Sequence, residues 1–263
     1  MCSRIALVVL GLLCWVSPSW GHYHVFLPDA ASVKKDKEVT FTLRFGHPFE
    51  HQFFDAVAPQ RLIVLTPDGK SAELTNQFTK TTVKGDKGRD VTAYRLKYKP
   101  AMRGDHVFVL TSGRVFMEEE KDFIQDTVKV ILHVQAQKNW DANCGQLELV
   151  PLTRPYGLTP GVTFVAEMID RVPRPGRLHP MAGAMTEVER FNPTPPATLP
   201  PDELITRTVK LDRQGKLVTT LPDPGWWALT VTSPHPGKQA VDGKEMPLRF
   251  RSTLWVFVDN AVR

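Results

Sequence analysis

Residues 38–45 read Glu38-Val39-Thr40-Phe41-Thr42-Leu43-Arg44-Phe45. Val39, Phe41, Leu43 and Phe45 fall on one side and Thr40, Thr42 and Arg44 on the other. That alternation of period two is the mark of a half-buried strand. Similar short runs follow at 61–66, 91–98, 106–111 and 127–134, separated by turn signals such as Pro67-Asp68-Gly69 and Arg103-Gly104-Asp105. A second set occupies 146–150, 163–169, 206–211, 216–221, 226–232 and 250–258, with Asp212-Arg213-Gln214-Gly215 as a hairpin turn. Between the sets, the stretch around 138–145 is polar and unpatterned. The expected fold is therefore all-β, in two consecutive β-sandwich domains: residues 22–137, a linker over 138–145, and residues 146–263.

The chain has 263 residues, enough for two real cores, with 42% hydrophobic and 23% charged residues. Its 22 prolines speak against a helical bundle. The net charge of +5 falls to +4 without Arg4, and basic residues are scattered among acids rather than gathered with aromatics. A nucleic-acid surface is not expected. Residues 192–201, with five prolines, lack the donors a sheet ladder needs and read as an exposed extended loop.

Residues 1–21 read as a secretory signal: Arg4, an apolar run over 5–16, and Ser19-Trp20-Gly21 as a small-x-small cleavage site. The run is too short to span a bilayer, and no later stretch is longer, so a soluble, periplasmic or otherwise extracytoplasmic protein is expected. Cys2 and Cys14 leave with the signal, and Cys144 stands alone as a packed or linker residue. Neither a disulfide framework nor a cysteine-rich zinc site can be built from it.

Cleavage after Gly21 would make His22 the first residue of a terminus reading His22-Tyr23-His24. Its α-amine and two imidazoles are three nitrogen donors within three residues, a set that favours Cu(II) or Ni(II). Two geometries are open. The amine, two deprotonated backbone amides and the His24 ring can wrap one square-planar ion, or His22 can chelate through its amine and ring while another histidine completes the set. Because protons compete for these nitrogens, binding should weaken below about pH 6.5. The plainer alternative is two histidines at a frayed strand start.

A helical turn or two is expected over 48–56, with Pro48 in the first turn. It would place His47, His51 and Asp55 at successive i, i+4 positions, a spacing at which two histidine rings can clamp one ion. The strand before it ends at Phe45. If that strand and the one beginning at Val25 are antiparallel neighbours, His47 lies beside the terminus. His106 reads as a turn residue and His133 as solvated, while His179 and His235, in proline-rich loops, are given no role. Glu118-Glu119-Glu120 with Asp122 reads as a solvated run that could offer oxygen ligands. No Gly-x-Ser-x-Gly elbow, phosphate loop or His-Glu-x-x-His helix is present, so catalysis is not expected. Alternation over Trp226-Trp227 sends one ring inward and one outward.

The stretches His22-x-His24-Val25-Phe26-Leu27-Pro28 and Leu43-Arg44-Phe45-Gly46-His47-Pro48-Phe49-Glu50 resemble a bacterial exported family defined by a domain of unknown function, DUF4198. The segments at 118–125, 147–158 and 224–229 extend the resemblance over nearly the whole mature chain. Some members are described as NikK- and CbiK-like periplasmic components of nickel or cobalt uptake. The resemblance implies His22, His24 and His47 as ligands for a divalent transition metal (Ni, Co or Cu), with His51 in support. A metal-uptake transporter or outer-membrane receptor is the implied partner. It also implies a transthyretin-like or carboxypeptidase-regulatory-like second domain. Residues 171–202, basic and proline-rich, depart from the family pattern as an insertion. Two alternatives stand beside this reading: a non-catalytic adhesion or carbohydrate-binding module, and a copper-dependent oxidase built on an N-terminal histidine brace.

Overall fold

A computed structural model describes residues 22–118, 120–145, 147–171, 181–233 and 237–260. The signal segment, most of the basic stretch after Arg171 (with His179) and His235 lie outside the described residues. In chain order the strands are β1 (Tyr23–Pro28), β2 (Ser32–Val33), β3 (Val39–His47), β4 (Gln52–Phe54), β5 (Arg61–Leu65), β6 (Ser71–Glu73), β7 (Thr79–Lys84), β8 (Asp90–Tyr98), β9 (Gly104–Thr111) and β10 (Val115–Met117). They continue with β11 (Asp122–Val134), β12 (Leu147–Pro151), β13 (Val162–Asp170), β14 (Met185–Arg190), β15 (Thr206–Lys210), β16 (Lys216–Leu221), β17 (Gly225–Thr232), β18 (Gly237–Val241) and β19 (Lys244–Val258). The fold is all-β and sandwich-like. Among the described residues no helix is long and apolar enough to cross a membrane.

Three sheets are present. The first runs β1-β3-β8-β7 with β4 added on β3, and the third is β12-β13-β16. Between them lies a sheet of eleven strands in the order β15-β14-β17-β19-β11-β9-β5-β6, with β2, β10 and β18 attached. The seam of this large sheet is the parallel pairing of β11 with β19, from Phe123↔Leu248 to Val130↔Trp255. One sheet thus carries strands from both halves of the chain.

Its two faces feed two cores. Phe108, Leu110, Val128, Val130, Trp226 and Trp255 pack with Tyr23, Phe26, Phe41 and Leu43 of the first sheet. Their neighbours Val107, Val109, Ile131, Trp227, Leu229 and Leu254 pack with Leu149, Phe164, Met168 and Leu217 of the third. A sheet covered on both faces has no outward side to leave polar, so its strands read as continuous apolar runs. Val107-Phe108-Val109-Leu110 is one such run. The same geometry corrects the tryptophan expectation: Trp226 and Trp227 are only 9% and 4% exposed, one in each core.

Two other expectations change. Strand β14 lies inside the stretch read as an insertion, and it pairs with both β15 and β17. His133 is only partly solvated and is tied to Asp105, and His106 is buried in β9, bonded to Tyr98 and to the Met102 carbonyl.

Candidate metal centre

Strands β1 and β3 pair antiparallel, with Tyr23 opposite Gly46 and His24 opposite Phe45. The start of one strand therefore meets the end of the other, as the sequence argument required. His22 and His47 come together there, their ring centroids 4.3 Å apart. The His22 ring also lies over Phe45 at 5.6 Å and beside Phe54 at 5.3 Å.

The helix expected over 48–56 does not form. Gly46 has φ of +148°, and a Cβ there would stand 2.1 Å from the Gln52 carbonyl oxygen, so this glycine is what allows β4 to close on β3. His51 takes the left-handed conformation at φ 57°, which turns the chain back through a tight hairpin. Burial of Phe53 rewards that path. The i, i+4 face that recruited His51 and Asp55 is consequently absent. His51 Nδ1 is 2.8 Å from the Asn192 carbonyl oxygen, its ring packs edge-on against Phe53, and Asp55 accepts a hydrogen bond from the Thr92 backbone N–H.

His24 points inward and is 1% exposed. Its Nδ1 lies 2.7 Å from Asp126 Oδ2, and Asp126 in turn receives two bonds from Arg251, each 2.7 Å. Burial would raise the Asp126 carboxyl, but the Arg251 charge and the bonds from His24 and Arg251 outweigh it and hold the group well below the carboxylate range. Asp126 is thus an anion that can only accept, and His24 donates from Nδ1. His24 Nε2 is buried and has no hydrogen-bond partner among the described residues. The same guanidinium donates from Nη2 to the His22 carbonyl at 2.8 Å.

The mouth of the site is a pocket of about 220 Å³ lined by His22, Phe45, Phe54 and the β10 hairpin from Val115 to Glu120. Glu118 and Glu120 give this rim a negative charge. Burial first, then electrostatic repulsion from the neighbouring His47 and Arg251, lowers the His22 imidazole to about 4, so its ring is neutral and available at pH 7. Among the described residues no three His, Cys, Asp or Glu side chains already converge on one point. The geometry supplies two facing imidazoles, an inner histidine with a free nitrogen, and room at the start of β1.

Sequence reasoning missed Asp126 and Arg251. Asp126 lies between Gln125 and Thr127 and Arg251 between Phe250 and Ser252, so adjacent polar residues made both read as surface positions and gave no local signal. It missed Glu187 and Glu189 for the same reason. Glu187 accepts the Tyr23 hydroxyl at 3.0 Å, and burial lifts the Glu189 carboxyl to about 8.

Among curated proteins, none matches this chain. Solved structures resemble it only loosely. A DUF4785 family protein from Legionella pneumophila is 10% identical, with 78% of this chain and 49% of that one aligned and a TM-score of 0.28, so this chain spans about half its length. Escherichia coli alpha-2-macroglobulin is 11% identical, with 90% and 20% covered and a TM-score of 0.22, and the human OSCAR ligand-binding domain is 15% identical, with 90% and 100% covered and a TM-score of 0.20. The sequence itself is more decisive: a family model described as "Domain of unknown function (DUF4198)" matches residues 19–234, and the chain belongs to that family.

Proposed function

We propose that this protein is exported, is cut after Gly21, and captures or delivers a divalent transition metal, Cu(II), Ni(II) or Co(II), without catalysing a reaction. The supporting observation is the meeting of the His22 and His47 rings, 4.3 Å apart at the end of the β1–β3 ladder. Cleavage adds the third donor, the His22 amine, at the same place. Of the two sequence geometries, the β1 ladder favours chelation by the amine and ring of His22 with a second histidine. The wrapped form would need the Tyr23 and His24 amides to leave the extended backbone that pairs with β3. Glu118 and Glu120 on the pocket rim draw cations toward the site. Hand-over to a transporter or receptor in the periplasm completes the reading. The carbohydrate alternative is weakened because both Trp226 and Trp227 are buried.

Burial moves the expected pH profile. The His22 ring resists protonation down to about 4, so of the two donors on residue 22 it is the α-amine, which titrates at roughly 7.7–8.0, that protons hold near neutral pH. Affinity should therefore keep climbing with pH until about 8, instead of levelling off above about 6.5. Terminal sequencing of the secreted protein should return His22 first. Calorimetry with Cu(II) or Ni(II) should then give at least a tenfold loss for His47→Ala, about 1.4 kcal/mol, and no change for His235→Ala. Parent-like binding by His47→Ala would remove the proposed site.

A further inference from the structure

A histidine that binds metal through one ring nitrogen almost always donates from the other to a carboxylate or carbonyl, and this partner fixes its tautomer and orientation. His24 has half of that arrangement in place. Asp126 Oδ2 stands 2.7 Å from Nδ1, while Nε2 is buried with no hydrogen-bond partner among the described residues. Leaving a buried nitrogen unmatched is costly, and packing could avoid that cost with an apolar residue. Aromatic side chains would fill the same volume, yet the chain places an imidazole there and braces it with a buried carboxylate.

Arg251 extends the brace. It is 4% exposed and reaches from β19, near the C-terminal end, to the first described residues. Its Nε and Nη2 hold Asp126, and Nη2 also holds the His22 carbonyl oxygen at 2.8 Å. A single planar group thus fixes both the His24 ring and the backbone of residue 22. Lysine could not do this, because it offers one point charge in place of a fork of donors. Its side chain further lies over the Tyr23 ring, with the guanidinium carbon 6.0 Å from the centroid, so the tyrosine between the two histidines limits how far Arg251 can swing.

We infer that Arg251 and Asp126 are the positioning residues of the site, setting the distance between residue 22 and His24 and holding His24 with Nε2 as a free electron-pair donor. The inference rests on the metal-binding reading for its consequence, but its central statement about His24 concerns the metal-free protein. Neither residue is a ligand. They act through His24 and through the terminal backbone, so an ion spends little of its binding energy on ordering those two positions, although the full donor set must still close on it.

The test begins with the metal-free parent protein. Nitrogen NMR at pH 7.5 should show His24 as the neutral Nδ1–H tautomer. An Nε2–H tautomer or a doubly protonated ring overturns the inference without touching the metal question. The second arm uses Arg251→Lys and Asp126→Asn, each checked by circular dichroism, with Cu(II) as the probe. Binding should weaken 10–100-fold, the range typical of lost outer partners, and the Cu(II) EPR spectrum should change its nitrogen coupling. A folded Arg251→Lys or Asp126→Asn protein with parent affinity and parent spectrum overturns the inference. If the parent itself binds no Cu(II), the metal reading fails while the tautomer result still stands or falls alone. Should both variants fail to fold, the parent tautomer decides.

Discussion

Two carboxylate–histidine dyads stand among the described residues, and they differ in what surrounds them. In both Asp105–His133 and Asp126–His24 a carboxylate oxygen lies 2.7 Å from a histidine Nδ1. Asp105 also accepts the Tyr156 hydroxyl at 2.9 Å and the Lys138 backbone N–H at 2.7 Å, and His133 stacks on Tyr156 at 4.0 Å. His133 is 19% exposed at its side chain, so water can reach it. That dyad staples β9 and β11 to the loops at 138 and 156. The Asp126 dyad is sealed, and among the described residues the outer nitrogen of His24 has no hydrogen-bond partner. Identical chemistry at one end and different surroundings at the other separate a fastening from a socket.

The largest expected difference is in stability. Asp126→Ala strands the buried Arg251 guanidinium and should cost about 3–5 kcal/mol in urea unfolding at pH 7. Asp105→Ala leaves a partly hydrated histidine, a hydroxyl and one amide, and should cost about 1–3 kcal/mol. Equal losses would break the distinction.

Metal protection gives the next effect. At a free Cu(II) concentration of about 100 Kd, the parent should gain about 2.7 kcal/mol against unfolding. His24→Ala should lose most of that gain, and His133→Ala should keep it although it starts from lower stability. Full protection in His24→Ala would make the inner histidine a structural group like its counterpart.

A smaller effect concerns pH. His22 is lowered to about 4 in the fold, so between about 6.5 and 4 the unfolded chain binds the extra proton. Its contribution is fully present above 6.5 and is lost as pH falls toward 4. Glu189 is raised to about 8, so the folded chain holds the extra proton above the unfolded value of 4.5 and stability falls as pH rises from there to 8. Glu189→Gln, which can still accept from the Phe49 N–H and whose amide can donate to the Thr206 hydroxyl oxygen where Glu189 accepts from it, should stabilise the protein at pH 8 by about 1 kcal/mol or more and flatten that limb. An unchanged slope would place the ionisation elsewhere.

Much of this architecture was legible in the sequence. Strand β3 shows its period of two directly because one of its sides is only half buried, and the β1–β3 neighbourhood followed from where those strands start and stop. What escaped was whatever depends on a second covered face. Lys129, Asp126 and Arg251 look like surface positions, yet Lys129 pairs with Glu148 beneath the third sheet and Asp126 with Arg251 beneath the first. The hairpin at 48–51 escaped for another reason. Pro48 is equally suited to a helix start or a turn, and the choice was made by Gly46, whose close approach to Gln52 cannot be seen in a linear text. His22 and His47, which meet, were found by strand register, and the Asp126–Arg251 pair that holds His24 and the His22 carbonyl was not.

The parallel seam between β11 and β19 has a consequence for how the chain reaches its structure. It joins residues as distant as Asp126 and Arg251, 125 apart in sequence, so the strand on its far side is synthesised well after its partner. Contacts of such long range are slow to form, because a large loop must close before any of them is rewarded. Until β19 arrives, β11 and β17 face each other across a missing strand, and neither core has its full complement of side chains. Refolding should thus show a late phase in which Trp255, the largest fully buried side chain, passes from water into the interior. Everything assembled at the N-terminal edge, including the Arg251 brace, waits for that final event.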